Sequence, residues 1–201
     1  MKIIIQIISI VVLAGCASAP SSRIVNKQIL SGAESSMSAN KLEDTLTTGI
    51  NNVSAGYSAE ATLITDSLIT AQESERGKKN LDTTESINKK IKTNQELFTK
   101  NQTCFSVNIH TYSLEAAKFS NWVAKVKIGD KILEYQFANT KGVYSVPSTY
   151  SDMNGRNWHN SSYLCGQKLS LGENITLVLI PQFRSDLKGE EKAELKWNVE
   201  K

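Results

Sequence analysis

Residues 121–138 read NWVAKVKIGDKILEYQFA, and this stretch decides the reading of the C-terminal half. Gly129-Asp130 is a two-residue turn signal between two runs in which apolar and polar residues alternate. If Ile128 opposes Lys131, then Val126 meets Leu133, Ala124 meets Tyr135 and Trp122 meets Phe137, all on one face. On the other face Lys125 meets Glu134. Turn, alternation and cross-strand pairing agree, which predicts a β-hairpin of 121–128 and 131–138.

Working outward, 103–110 alternates Phe105, Val107 and Ile109 against polar residues. Residues 174–181 are apolar on both faces, as a central strand is. Residues 192–199 alternate Ala193, Leu195, Trp197 and Val199 with polar neighbours, and 163–166 is a short strand. Roughly five to seven short strands in the segment 101–201 predict an antiparallel β-sandwich.

The N-terminal half has a different composition. Between residues 17 and 100 the aromatics are Tyr57 and Phe98, whereas all three tryptophans follow residue 100. Apolar residues recur at Leu42, Leu46, Ile50, Val53, Tyr57, Ala61, Ile64, Leu68 and Ala71, steps of three and four that match the helical period. Ser31–Glu34, Asn40–Glu43 and Asp82–Glu85 have capping-box spacing. Early acids (Glu34, Glu43, Asp44) and late bases (Arg76, Lys78, Lys79) complement a helix dipole, and Gly77 reads as a stop. Gly49 and Gly56 would each weaken such a helix by roughly 1 kcal/mol. The expectation is an α+β protein: a long N-terminal helix or αα-hairpin stalk over 31–100, then the sandwich. Helix one, 31–75, would reach ~65 Å and helix two, 83–100, ~27 Å. The uncovered stripe would need another copy, another protein or the β domain, so self-association or a protein partner through the helical segment is expected.

At the start, Lys2 precedes an apolar run that ends in Leu13-Ala14-Gly15-Cys16. The run is shorter than the ~20 residues of a transmembrane helix and has the layout of an export signal. The four closing residues resemble the lipobox of bacterial lipoproteins. That resemblance implies removal of 1–15, lipidation (palmitate among the acyl chains) of Cys16, and a tether over 16–30. Ala17, in place of an Asp, implies the outer membrane, with the face unspecified. Several acyl chains at roughly 0.8 kcal/mol per buried CH₂ would make that anchor lasting. Losing Lys2 lowers the formal charge from +3 to +2. So small a charge, with no basic run, gives no reason to expect nucleic acid.

Export places the two remaining cysteines in an oxidising compartment, where a Cys104–Cys165 disulfide is expected. Cys104, Trp122 and Cys165, with Tyr163 two residues before the second Cys, resemble the immunoglobulin pattern. Parity argues against that topology. Cys104 shares a face with Ser106, Asn108 and His110, whereas Phe105, Val107 and Ile109 point the other way.

No HExxH motif, nucleophile elbow or P-loop is present. The two histidines, His110 at a strand end and His159 in a polar loop, read as solvent-facing or hydrogen-bonded groups. Asp152 lacks the spaced acids of a calcium loop, and the cysteines and histidines lack metal-ligand spacing. No cofactor is expected, and an enzyme is disfavoured. The segment 139–162 holds Tyr144, Tyr150, Arg156, Trp158 and His159 among Ser, Asn and Gly, the composition of an adaptable contact loop. The function expected is a lipid-anchored cell-envelope binding or assembly module, a scaffold or accessory subunit. The alternative is a glycan- or peptidoglycan-binding lipoprotein using that loop.

Overall fold

The computed structural model of the chain describes residues 21–31, 37–52, 55–138, 144–145, 158–182 and 192–200. The lipobox and Cys16 lie outside them. The described elements are, in chain order, β1 (Ser21–Val25), α1 (Lys27–Ser31), α2 (Ala39–Leu46), β2 (Thr47–Asn52), β3 (Tyr57–Leu63), α3 (Asp66–Lys79) and α4 (Thr84–Phe98). Then follow β4 (Gln102–Thr111), α5 (Leu114–Ala117), a 3₁₀ turn (Phe119–Asn121), β5 (Trp122–Ile128), β6 (Lys131–Phe137), β7 (Tyr144–Ser145), β8 (Trp158–Gln167), β9 (Ile175–Pro181) and β10 (Ala193–Val199).

The hairpin forms in the expected register, with Ile128 opposite Lys131, Val126 opposite Leu133 and Ala124 opposite Tyr135. Gly129 takes φ +53° in the turn, a conformation natural to glycine. Beyond Tyr135 the two strands part company. Trp122 is paired with Pro181 of β9, while Gln136 and Phe137 pair with Cys165 and Leu164 of β8. β9 is central as its two apolar faces require, lying between β5 and β10.

The α+β expectation is overturned: the chain is mostly β, and the described residues form no long stalk. The stripe from Leu42 to Ala71 is divided among α2, β2, β3 and α3. Steps of four are even, so they fit an alternating strand as well as a helix. β2 buries Thr48, Ile50 and Asn52, and β3 buries Tyr57, Ala59, Ala61 and Leu63. Gly56, which weakens a helix, turns the chain between them at φ +75°. α3 and α4 are real but short. Thr65 Oγ1 caps α3 by accepting from Leu68 N, and Thr83 Oγ1 caps α4 by accepting from Ser86 N. Gly77 is no stop but lies within α3. A Cβ there would come within 2.3 Å of Ile87 Cγ1, so the missing side chain lets α4 approach.

The sandwich expectation is also corrected. Nine strands form one continuous sheet in the order β1-β10-β9-β5-β6-β8-β4-β3-β2, with β7 beside β8. The sheet is mixed, because β1 runs parallel to β10 while the other pairs are antiparallel. It curls until its edges meet. Trp197 Nε1 of β10 donates to Leu46 O at 2.7 Å, and Arg23 Nε of β1 donates to Thr47 O at 3.0 Å. The result is a nearly closed, barrel-like sheet with a single interior core. Phe105 of β4 lies 5.2 Å from Trp197 of β10 and 5.9 Å from Tyr135 of β6 between ring centroids, so rings from separate strands fill the middle.

Strand directions sort the connections to two ends. One end carries α1 to α4 and the Gly129-Asp130 turn. The opposite end carries the β2–β3 turn, α5 with its 3₁₀ turn, and the chain leaving β6, entering β8, leaving β9 and entering β10. Here Trp122 Nε1 donates to Ala116 O, and Asn160 Nδ2 donates to Ala117 O, each at 2.8 Å, fastening α5 to the barrel.

Candidate functional site

Alternation along β3, β4 and β8 divides their residues between the core and an outer face. Tyr57, Ala59, Val107 and Ile109 point inward and are buried. Ser58, Glu60, Asn108, His110, His159 and Ser161 therefore share the outer face. Register arranges them in two rungs. Asn51, Ser58, His110 and His159 lie across β2, β3, β4 and β8 in one rung, and Gly49, Glu60, Asn108 and Ser161 in the next. Rung neighbours are separated by the strand spacing of about 4.8 Å.

The rungs floor an open groove of about 520 Å³, lined among others by Gly49, Asn51, Ser58, Glu60, Asn108 and His110. The His110 and His159 rings lie 4.4 Å apart between centroids with their planes inclined at 33°. Burial lowers the His159 pKa from 6.5, and the adjoining charge of His110 lowers it further. A proton on one ring opposes a proton on the other. Ser161 Oγ donates to Asn108 Oδ1. The groove thus offers a carboxylate, amides, a hydroxyl and imidazoles, which can donate and accept hydrogen bonds over a flat surface.

A second cavity of about 360 Å³ lies where α3 and α4 cover the opposite half of the same outer face, between Leu68, Ile69, Leu97, Phe98, Ser106 and Tyr163. Glu73 is buried on its polar side, held by Arg76 Nη1 at 3.0 Å and by Asn94 Nδ2 at 3.0 Å. Leu97 and Tyr163 remain exposed. The expected disulfide is present beside this cavity: Cys104 and Cys165 are cross-strand partners with Cα atoms 4.2 Å apart, packed with Ile64, Ile69 and Phe98. The parity of Cys104 is as read from the sequence, on the outer face and away from Phe105, Val107 and Ile109.

The contact loop expected at 139–162 is corrected at its end. Trp158 and His159 belong to strand β8. Tyr144 pairs with His159 through its backbone, and Tyr150 and Arg156 lie outside the described residues. The two histidines, unconnected in sequence, are brought face to face. Glu60, Asn108, Asn51 and Ser58 were not singled out, because their segments were read as a helix or as an ordinary polar strand face. Among the described residues, no group of three His, Cys, Asp or Glu is placed to hold a metal ion. Among the same residues no helix is long and apolar enough to cross a membrane.

No protein-family model matches the chain, and no curated protein matches it. A solved structure, described as a novel protein of unknown function from Burkholderia pseudomallei K96243, is similar over 79% of this chain and 80% of that chain. Its identity is 6% and its TM-score 0.43, and a likeness this low carries no argument.

Proposed function

We propose that the chain is a lipid-anchored binding module of the cell envelope, anchored through Cys16, whose polar groove holds a hydroxyl-rich glycan. The groove's composition carries the reading: Glu60, Asn51, Asn108, Ser58 and two imidazoles line it. Protein interfaces concentrate their energy in buried aromatic and Arg anchors. Among the described residues lining this groove, none is Trp, Tyr or Arg. Planar amides and imidazoles match the dense hydroxyls of a sugar chain instead. Peptidoglycan is the envelope glycan to test first. The test is co-sedimentation of the protein with purified murein sacculi, comparing wild type with Asn108→Ala and His159→Ala. Retention that both substitutions weaken supports the reading; no retention, or retention indifferent to both, removes it.

A second observation favours a protein partner. The cavity under α3 and α4 has exposed apolar walls at Leu97 and Tyr163 around the buried Glu73, which pairs with the exposed Arg76. An apolar side chain of a partner would fit there, which is the assembly reading. Affinity capture of one defined envelope protein, lost with Leu97→Glu and kept with His159→Ala, selects it over the glycan reading.

A further inference from the structure

The turn between α3 and α4 sets an apolar side chain where the fold asks for none. Asp82 N donates to Gly77 O at 2.9 Å, and Leu81 N donates to Lys78 O at 3.3 Å. These two bonds make a Schellman ending for α3, with Asn80 at the C-cap and Leu81 next to it at φ +57°. Glycine is the usual occupant of that left-handed position, because a side chain is strained there. Among the described residues Leu81 alone takes a positive φ without being glycine. It is 91% exposed, so its side chain gains no burial in return.

The surroundings of Leu81 are cationic. Residues 76–92 hold Arg76, Lys78, Lys79, Lys89, Lys90 and Lys92 against Asp82 and Glu85, a net +4 where the whole chain has +3. All six basic residues are exposed, and Lys90 Nζ meets Asp82 Oδ2 at 2.6 Å. Gly77 lies against Ile87, and Asn94 Nδ2 donates to Glu73 Oε1, so the two helices run side by side in opposite directions. That packing brings Lys78 and Lys79 within about two helical turns of Lys89 and Lys90 along the axes. The fold thus gathers into one patch the charges that the sequence splits between two helices.

We infer that the α3–α4 turn docks on an anionic lipid surface, with Leu81 entering the acyl boundary and the lysines meeting the headgroup phosphates. Charge complementarity selects an anionic partner, and the exposed leucine selects one with an apolar interior. An acidic polymer would engage the lysines and leave Leu81 idle. The inference goes beyond the proposed anchoring at Cys16 and does not need it.

The test follows amide hydrogen exchange over residues 80–86 of the full chain, mixed with vesicles of phosphatidylcholine alone or of equal parts phosphatidylcholine and phosphatidylglycerol. Exchange several-fold slower on the phosphatidylglycerol vesicles is expected, with the slowing lost in Leu81→Gly and in the Lys78→Glu/Lys79→Glu double variant. Leu81→Gly is also expected to keep or raise the urea midpoint, since glycine suits the turn. Equal exchange on both vesicles, slowing that Leu81→Gly leaves intact, or the same slowing by dextran sulfate without lipid overturns the docking. A midpoint that falls in Leu81→Gly as for loss of a packed leucine also overturns it, by making the side chain part of the fold. Flotation keeps the two readings apart: a chain that floats with phosphatidylcholine vesicles in every variant is held elsewhere than at the turn, and exchange at 80–86 still decides the docking.

Discussion

The indole Nε1–H of Trp197 donates to the carbonyl oxygen of Leu46 at 2.7 Å, joining positions 151 residues apart. Both residues are fully buried. This bond closes the barrel, because it links the β10 side of the sheet to the start of its other edge at β2.

Trp197→Phe keeps most of the ring volume and leaves the Leu46 carbonyl without its donor. A buried acceptor left unsatisfied costs about 1–3 kcal/mol. The expected outcome is an unfolding free energy lowered by that amount, read as a lower urea midpoint with an unchanged m-value. Trp197→Ala adds a cavity and is expected to cost about 3–5 kcal/mol. Chemical denaturation followed by circular dichroism checks both. Equal stability of Trp197→Phe and wild type would show that water replaces the donor.

The Cys104–Cys165 bond closes a loop of sequence separation 61, which by loop entropy stabilises by about 4 kcal/mol. It is one rung of a ten-residue ladder between β4 and β8. A Cys104→Ala/Cys165→Ala double variant is therefore expected to keep its far-UV spectrum at neutral pH while its denaturation midpoint falls. Loss of the β spectrum without denaturant would mean that the ladder cannot form unaided.

His159 has a folded-state pKa below its ordinary value of 6.5, through burial first and His110 second. The unfolded chain then binds more protons than the folded one in the window below 6.5. Stability is present in full above that value and is lost as the pH falls through the lower folded-state value. The expected result is a wild-type midpoint that drops between pH 7.5 and 5.5, and a smaller drop in His159→Gln. Parallel curves for the two proteins would place the acid sensitivity elsewhere.

Gly166 lies flat against the Tyr135 ring, and a Cβ there would come within 2.7 Å of Cδ2 and 2.8 Å of Cγ. Tyr135 cannot simply swing away, since its hydroxyl donates to Gln167 O at 2.5 Å. Gly166→Ala is expected to destabilise by about 1–3 kcal/mol through overpacking. A Tyr135→Leu background frees the space, and the cost of Gly166→Ala should shrink in it. Thermal melts of the four proteins test this cycle.

Legibility in the sequence followed agreement between independent signals. The 121–138 hairpin was readable because its turn, its alternation and its facing pairs point to one register, and the structure has that register over 124–135. The Leu42–Ala71 stripe had spacing and signals at its two ends but nothing that tests its middle, and a step of four satisfies two periods at once. The residues between the stripe positions break the tie: Thr47 and Thr48 are β-branched, Gly49 and Gly56 disfavour helix, and Asn51-Asn52 prepares a turn. The histidine pair was hidden because nothing local connects 110 to 159. A signal did exist. His110 follows Cys104 by six residues and His159 precedes Cys165 by six, so a cross-strand disulfide in an antiparallel ladder sets the two imidazoles opposite each other.

β1 is paired in the sheet with β10, the last of the described strands. A chain that emerges with its N-terminus leading therefore presents its first strand long before that strand has a partner. The strands between can form in turn, but β1 must wait, edge exposed, until β10 arrives. Completion of the native state is timed by the arrival of residues 193–199, and a truncation after residue 192 would leave β1 without that partner.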